Sequence, residues 1–362
     1  MNRPVWILTS FSGSGGVEKL VSVLANGMAA AGREVHLALV KRRGPFAGAL
    51  DETVRVHELK AGSARLSVGA LAALMREHQP DTMLVAKERS LRLALAAQAR
   101  SGYPRRIVFQ INTHLSRSFA HRGALIGWWR RRRMARLLAR CDELIAVSQG
   151  VADDVRNCFP AVTAPMHVHH NPIVGSQSEA AASAEAAVSL PPRRPLVLAM
   201  GRLTAQKGFD VLVRAYAGLP AEQRGHLMIL GDGAEREALL RLADEQGIAD
   251  EFSLPGFVED PRPILKAANL FVLSSRWEGF GNALVEAMAL GVPVVSCDCP
   301  SGPSEILEGG KLGPLVPVDD VNAMRAAMGQ VLQNPLPPQT LIAGTQRFTV
   351  AAGVAAYLNR LG

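Results

Sequence analysis

Arg276-Trp277-Glu278-Gly279-Phe280-Gly281-Asn282-Ala283-Leu284-Val285-Glu286 sets two carboxylates eight residues apart, with a Gly-rich turn between them that opens an apolar helix. The preceding run, residues 269–275 (NLFVLSS), predicts a short buried strand. Asn282 to Leu290, stopped by Gly291 and Pro293, predicts the helix. Glu278 then belongs to the strand-to-helix loop, and Glu286 lies about two turns into the helix. The free N–H groups of a helix start make a phosphate cradle. Carboxylates on either side suit the hydroxyl groups of a sugar and of a ribose. A single pair by itself fits better an ordinary loop glutamate beside a solvated helix glutamate, so the rest of the chain has to decide.

Outward from this element, strands and helices alternate. Leu196 to Met200 predicts a strand followed by Gly201-Arg202-Leu203 and a helix from Phe209. Leu227 to Leu230 runs into Gly231-Asp232-Gly233 and a charged helix, Phe252-Ser253-Leu254 leads into Pro255-Gly256-Phe257, and Val292 to Ser296 follows the glutamate helix. An earlier series opens with the strand Val5–Leu8, a flexible turn over residues 10–16 (SFSGSGG), a helix over Val17–Ala31 and a strand over Val35–Val40. Similar units recur at Thr82–Ala86, Arg106–Ile111 and Glu143–Val147. Residues 175–194 have the small, polar, Pro-rich composition of a linker. The expected fold class is α/β, with two doubly wound Rossmann-like domains facing across a cleft. Expected bounds are 1–172, a linker over 173–194, 195–342, and a C-terminal helix in 343–362 that crosses back to the first domain, with Phe348, Ala352 and Ala355 on its apolar face.

A length of 362 residues suits two domains, and 48% apolar residues with few aromatics suit aliphatic packing of helices on parallel strands. No apolar run reaches the roughly 18 residues of a membrane span, and Val5–Leu8 is too short for a signal peptide. Cys141, Cys158, Cys297 and Cys299 lack zinc-ligand spacing and fit reduced thiols of a cytoplasmic protein. The net charge of +8 is uneven: residues 1–194 carry 27 basic and 14 acidic side chains, residues 195–340 carry 11 and 18. Between Arg89 and Cys141 stand thirteen arginines and no acidic residue, which predicts an anionic partner or a strongly solvated face.

The loops carry the chemistry. Gly201-Arg202-Leu203-Thr204-Ala205-Gln206-Lys207-Gly208-Phe209-Asp210 sets two cations five residues apart just after a strand. A departing pyrophosphate gains charge as its bond to a sugar breaks, and fixed cations stabilise that charge. Two solvated loop cations would give the same spelling. Gly231-Asp232-Gly233 is a tight-turn signal, and Glu305 in Pro300-Ser301-Gly302-Pro303-Ser304-Glu305 either caps a helix or faces a ligand.

In order along the chain, these motifs resemble the family-four retaining glycosyltransferases of the GT-B fold. Ser14-Gly15-Gly16-Val17-Glu18 is similar to that family's glycine-rich turn. Ala146-Val147-Ser148-Gln149-Gly150-Val151 and Asn171-Pro172 resemble its strand end and pre-linker turn, and GRLTAQKGFD, GDG, PGFV, the Glu-x7-Glu element and PSGPSEI follow as in the family. Each motif is weak; the ordered set is specific. The resemblance implies that Arg202 and Lys207 bind the nucleotide diphosphate, Glu286 the ribose hydroxyls and Glu278 hydroxyls of the donor sugar. It implies that the Gly281 turn and the backbone N–H groups of Asn282 and Ala283 bind the distal phosphate, and that the main chain near Phe257-Val258 faces the base. His114 corresponds to a family histidine that reaches the donor sugar, and Gly15 and Gly16 to residues that approach the diphosphate across the cleft. Glu278, Arg202, Lys207 and His114 form the catalytic set.

The implied activity is retaining transfer of a hexose or N-acetylhexosamine from a nucleotide sugar, UDP favoured. The acceptor hydroxyl attacks the face from which the diphosphate leaves, and the leaving phosphate takes the proton. No Asp-x-Asp metal motif is present, no cofactor is implied, and Arg202 and Lys207 replace a divalent ion. His167, His169 and His170 read as a strand heading for the linker in preference to a metal site. PSGPSEI preceded by Cys299 resembles members that build bacterial surface polysaccharides and lipid-linked glycans, whereas Asn282 departs from many relatives. The acceptor implied is a cell-envelope glycan or a lipid-linked one.

A basic nucleic-acid- or membrane-binding module without catalysis is the alternative reading. Trp128 and Trp129 are adjacent, not interleaved for base stacking, so no nucleic-acid partner is expected. A dinucleotide oxidoreductase is disfavoured because SGSGG departs from Gly-x-Gly-x-x-Gly and Val40 runs into Lys41-Arg42-Arg43 with no acidic residue. Ile126 to Leu138 predicts a basic helix with Trp and aliphatic side chains. The Trp128–Arg140 region is thus expected to meet an anionic membrane surface, making the protein peripheral at the inner, cytoplasmic face of the cell membrane.

Overall fold

A computed structural model describes residues 3–13, 15–59, 63–121, 123–175, 191 and 195–361. The chain divides into two compact units, Met1–Ser176 with Phe348–Gly362, and Gln177–Arg347. Most of the expected linker, 176–190 and 192–194, lies outside the described residues, as does Ser14.

Among the described residues the first unit holds a parallel sheet of β1 (Val5–Ser12), β2 (Val35–Arg43), β3 (Arg55–Glu58), β4 (Thr82–Ala86), β5 (Arg106–Ile111), β6 (Glu143–Ala146) and β7 (Met166–Val168), in the order β3-β2-β1-β4-β5-β6-β7. Strand order reverses between β1 and β4, the doubly wound arrangement. Ile7, Leu8, Leu37, Leu39, Leu84 and Val108 are fully buried, as expected for strands covered on both faces. β1 runs four residues beyond the expected Leu8. Phe11 is buried and pairs with Arg42 after a register shift, so Ser10 to Ser12 are strand and the turn starts only at Gly13. The same pairing draws Lys41, Arg42 and Arg43 into β2.

The C-terminal helix, Val350–Leu361, does return to the first unit, where it packs on the helix Gly16–Ala30. Its inner face differs from expectation. Val354, Tyr357 and Leu361 are buried with Phe348, whereas Ala352 and Ala355 are exposed. The larger side chains win the inner positions because each buries more apolar area, worth roughly 1.5–3 kcal/mol for a full aliphatic or aromatic side chain. The Tyr357 hydroxyl sits in the core and accepts from Gln110 Nε2 at 2.7 Å, which satisfies the polar tip. Ile173 and Val174 donate backbone hydrogen bonds to Phe348, and Gly353 packs on Pro172. The rings of His169 and His170 lie 5.2 and 5.4 Å from Tyr357 and Phe348, a packing role for two of the three histidines.

The second unit holds a parallel sheet of β8 (Leu196–Met200), β9 (His226–Leu230), β10 (Phe252–Gly256), β11 (Leu270–Leu273), β12 (Val294–Cys297) and β13 (Leu315–Val316), ordered β10-β9-β8-β11-β12-β13. Its switch point lies between β8 and β11. The cation loop and the glutamate loop leave these two neighbouring strands, so sheet topology brings together segments about 70 residues apart in sequence.

Candidate active site

In the second unit the loops touch backbone to backbone, and this explains two motif glycines. Gly208 has φ +59°, and a Cβ there would stand 2.2 Å from Ser274 O. Gly302 has φ +95°, and a Cβ would stand 1.7 Å from Phe280 O. Any larger residue would push the cation loop or the PSGP turn off the glutamate loop. Beside Gly302, Ser301 holds φ +76° without being glycine, and its buried Oγ has no hydrogen-bond partner. Such outliers persist only where the surroundings enforce them.

Across the switch point Lys207 Nζ donates to Glu278 Oε1 at 2.5 Å, and Ser275 Oγ donates to the same oxygen at 2.6 Å. The Glu278 side chain is 10% exposed, far from the solvated loop glutamate that the sequence alone also allowed. A charge-assisted pair of this kind fixes both groups. Ser274 Oγ donates to Lys207 O, and Gln206 Nε2 to Trp277 O. Arg202 is exposed at the mouth of the same loop.

Gly281, at φ +112°, is the N-cap of the helix Asn282–Ala289, whose start carries Asn282 and Ala283 half-buried. Glu286 is half-buried about one turn into the helix, not the two expected, because it stands only four residues after Asn282. On the β10 side, Asp232 Oδ2 accepts from Phe257 N at 3.1 Å while Asp232 Oδ1 pairs with Arg236. That fixes the Phe257-Val258 main chain, and Phe257 itself is exposed. All these residues lie at the carboxyl ends of strands in one sheet, where open α/β sheets bind ligands. Glu305 falls in the first turn of the short helix Pro303–Ile306, and its carbonyl accepts from Arg347.

The first unit repeats the pattern at its own switch point. Gly15 is the N-cap of the helix Gly16–Ala30, so the Gly15-Gly16 turn sits at a helix N-terminus after β1. Glu18 in that helix accepts from Lys87 Nζ at 2.6 Å, and Lys87, just after β4, also donates to Ser10 O at 2.6 Å. Lys87 holds φ +77°. His114 N-caps the helix Leu115–Ala120 after β5. Its Nδ1 lies 3.1 Å from Ser116 Oγ and 3.3 Å from the buried Asp154. Burial lowers the His114 pKa below the usual histidine value; the Asp154 carboxylate opposes that shift and Arg117 adds to it. Asp154 and Lys87 were missed in the sequence because their partners near Ser116 and at Glu18 lie 38 and 69 residues away with no spacing rule between them, while Ser275 and Arg276 stand in quoted stretches whose pairings with Glu278 and Asp210, three and 66 residues away, the spelling does not show.

Burial pushes the thiols of Cys141 and Cys297 up to about 12, and that of Cys299 upward too, which makes them poor nucleophiles. Among the described residues no group of three or more His, Cys, Asp or Glu side chains is arranged to hold a metal ion.

Residues 14–174 match the family model described as Glycosyltransferase Family 4, and residues 194–334 that described as Glycosyl transferases group 1. Among curated proteins the chain is 37% identical over 147 residues to the lipopolysaccharide core biosynthesis glycosyltransferase LpsE of Rhizobium meliloti, a match covering 41% of this chain and 42% of LpsE. It is 34% identical over 138 residues to an N-acetylgalactosaminyltransferase of Campylobacter jejuni that acts on a diphospho-undecaprenol acceptor, covering 38% and 37% of the two chains. The matched stretch thus spans less than half the length of these relatives. Among solved structures, Anabaena HepE in complex with UDP-glucose superposes with TM-score 0.75 at 19% identity over 99% of this chain and all of that one. WaaG, a glycosyltransferase of lipopolysaccharide biosynthesis, superposes with TM-score 0.74 at 14% identity over 99% of each. The two parallel-sheet units therefore have the GT-B architecture of these structures.

Proposed function

We propose that this chain, which carries a glycosyltransferase domain in each half, transfers a hexose or N-acetylhexosamine from a nucleoside diphosphate sugar to a cell-envelope glycan or lipid-linked acceptor. The observation that carries the reading is the pairing of Lys207 with Glu278 beside the helix start at Asn282, at the switch point of the second sheet. A cation, a buried carboxylate and a helix N-terminus within one loop cluster suit a sugar diphosphate. UDP is the favoured nucleotide, in line with the UDP-glucose bound by HepE. The envelope acceptor rests on the relatives that build lipopolysaccharide core and undecaprenol-linked glycans.

In this reading Arg202 and Lys207 hold the diphosphate with the N–H groups of Asn282 and Ala283, and Gly281 lets that helix start approach closely. Glu286 takes the ribose hydroxyls, and the Phe257-Val258 main chain the base. Glu278 orients the donor sugar. From the first unit, His114, steered by Asp154 through Nδ1, offers Nε2 to the sugar, and Gly15 and Gly16 offer their turn to the diphosphate. The bond from the anomeric carbon to the phosphate oxygen breaks as the acceptor oxygen bonds to the same face, and the acceptor proton passes to the departing phosphate. Arg202 and Lys207 stabilise the charge that grows on that phosphate, which is why a divalent ion is not required. The exposed Trp128 and Trp129, with their neighbouring arginines, support work at the cytoplasmic membrane face.

A screen of nucleotide sugars for release of free nucleoside diphosphate tests the reading. One UDP-sugar should be hydrolysed slowly without acceptor and faster with a lipid-linked or core-oligosaccharide acceptor. Silence across UDP- and GDP-sugars, with and without acceptors, rules it out.

A further inference from the structure

Arg276 stands in the first stretch quoted above, two residues before Glu278, and nothing so far gives it a task. Its guanidinium makes a denser set of contacts than either proposed phosphate-binding cation. Nη1 donates to Ala205 O at 2.6 Å and to Asp210 Oδ1 at 3.0 Å, Nη2 to Asp210 Oδ2 at 2.8 Å, and Nε to Asp319 Oδ1 at 2.7 Å. Its own backbone N–H donates to Gln206 O at 2.7 Å. One residue therefore ties together three loops, those that follow β8, β11 and β13. The Asp210 contact is a two-pronged fork, which fixes orientation as well as distance. Asp319 holds φ +63° without being glycine, so the third leg of the clamp is itself in a costly backbone state.

The clamped segment is short. Ala205 and Asp210 bracket Lys207, the 3-10 turn Ala205–Lys207 is one turn long, and such a turn has little stiffness of its own. Arg276 grips both ends of it while the Ser274 and Gln206 contacts hold its middle. Lys207 would otherwise sit on a free loop, and its reach to Glu278 would vary by more than a hydrogen bond tolerates.

We propose that Arg276 is a positioning residue: it pins the Ala205–Asp210 segment to the glutamate loop, so that Lys207 meets a bound diphosphate in a fixed place without Arg276 touching the ligand. The inference rests on the nucleoside diphosphate reading of this site. It predicts a loss confined to the diphosphate part of the ligand and routed through Lys207.

The probes are UDP and uridine, titrated calorimetrically into the full chain. Arg276→Gln should weaken UDP by about tenfold and leave uridine unchanged. Arg276→Lys, which restores one charge but not the fork, should recover only part of the loss. The double variant Arg276→Gln/Lys207→Ala should bind UDP no worse than Lys207→Ala alone, since residues that act through one another are not additive. Asp319→Ala, which removes the Nε leg of the clamp, should show the same selectivity at smaller size. Amide exchange reads the clamp without any ligand: the Lys207 and Arg276 N–H groups should exchange at least tenfold faster in Arg276→Gln, with strands β8 and β11 unchanged. Unchanged exchange overturns the proposal, as does an equal loss for UDP and uridine, or a double variant whose losses multiply. If wild-type protein binds UDP no better than uridine, the functional reading falls instead, and the exchange measurement still decides whether Arg276 holds the loop.

Discussion

Lys207 and Glu278 share one hydrogen bond of 2.5 Å across the point where the strand order of the second sheet reverses. Their expected tasks, diphosphate and donor sugar, thus belong to adjacent atoms of one pair. Removing either partner has two effects. On the proposed reading it deletes a ligand contact, and it frees the other side chain from its fixed place. Glu278→Ala and Lys207→Ala should each lower turnover by about 10²–10³, the usual cost of one preorganised electrostatic contact. The double variant should lose less than the product of the two. Steady-state kinetics on the donor found by the hydrolysis screen would check this, and wild-type kinetics in both single variants would remove the pair from the site.

In the proposed site Glu286 and Arg202 serve opposite ends of the nucleotide. Glu286→Ala should weaken uridine and UDP alike by about tenfold, roughly 1.4 kcal/mol, the size expected for one charged hydrogen bond. Arg202→Ala should depress turnover more than uridine binding, because its proposed work is on charge that develops in the transition state. Activity should survive EDTA. A strict divalent requirement would contradict cation replacement by Arg202 and Lys207.

In the first unit Glu18 is 7% exposed at its side chain and Lys87 25%, so their pair is largely desolvated. Lys87→Met should cost about 3 kcal/mol or more in urea unfolding, because it leaves a buried carboxylate without its cation. Lys87→Met combined with Glu18→Gln should recover part of that. A double variant less stable than Lys87→Met would show that the carboxylate is held by something other than Lys87.

The two doubly wound sheets and the loops that follow their strands were legible because strands buried on both faces spell apolar runs punctuated by glycine, whereas the strand order and the place where it reverses were not. Gly208 and Gly302 were legible as motif letters, but their cause, carbonyl oxygens of distant loops at 2.2 and 1.7 Å from a hypothetical Cβ, was not. Side-chain partners over long separations were not legible either. Glu88 illustrates this: it lies just outside the acid-free arginine block, yet it pairs with both Arg130 and Arg133. Ala352 and Ala355 misled for another reason. Small apolar residues count toward a helix's apolar face but yield the inner positions to Val354 and Tyr357.

Acid should loosen the first unit. His36 and His57 cluster with Trp6 and meet His78 edge-on, and burial lowers the pKa of both below 6.5; burial also brings His169 down to about 4. A histidine whose folded pKa is depressed binds its proton less readily than in the unfolded chain. Its contribution is therefore present above about pH 6.5 and is lost as pH falls toward the folded value, near 4 for His169. Melting temperature should drop steadily between pH 6.5 and 4.5, and His57→Gln should flatten that slope. A melting temperature that rises over this interval would contradict the sign.

The basic helix Ala124–Leu138 turns its large apolar groups outward. Leu125, Ile126, Trp128 and Trp129 are 72, 58, 51 and 58% exposed, while Met134 and Leu138 are buried beneath. Its arginines are not equivalent. Arg130 and Arg133 pair with Glu88, and Arg131 donates to Cys158 O, whereas Arg132 lies over the Trp128 ring and Arg136 is exposed. Cations already facing a carboxylate add little attraction to an anionic leaflet. Those near the exposed indoles add about 1 kcal/mol each before screening by salt. In vesicle co-sedimentation the protein should therefore bind phosphatidylglycerol-containing but not neutral vesicles, and release with added salt. Arg132→Ser/Arg136→Ser should lose binding by tenfold or more, and Trp128→Ser/Trp129→Ser comparably, while Arg130→Ser/Arg133→Ser should lose less, because Glu88 already offsets that charge. Equal binding to neutral and anionic vesicles, or loss confined to the Arg130 and Arg133 variants, would remove this helix as the membrane contact.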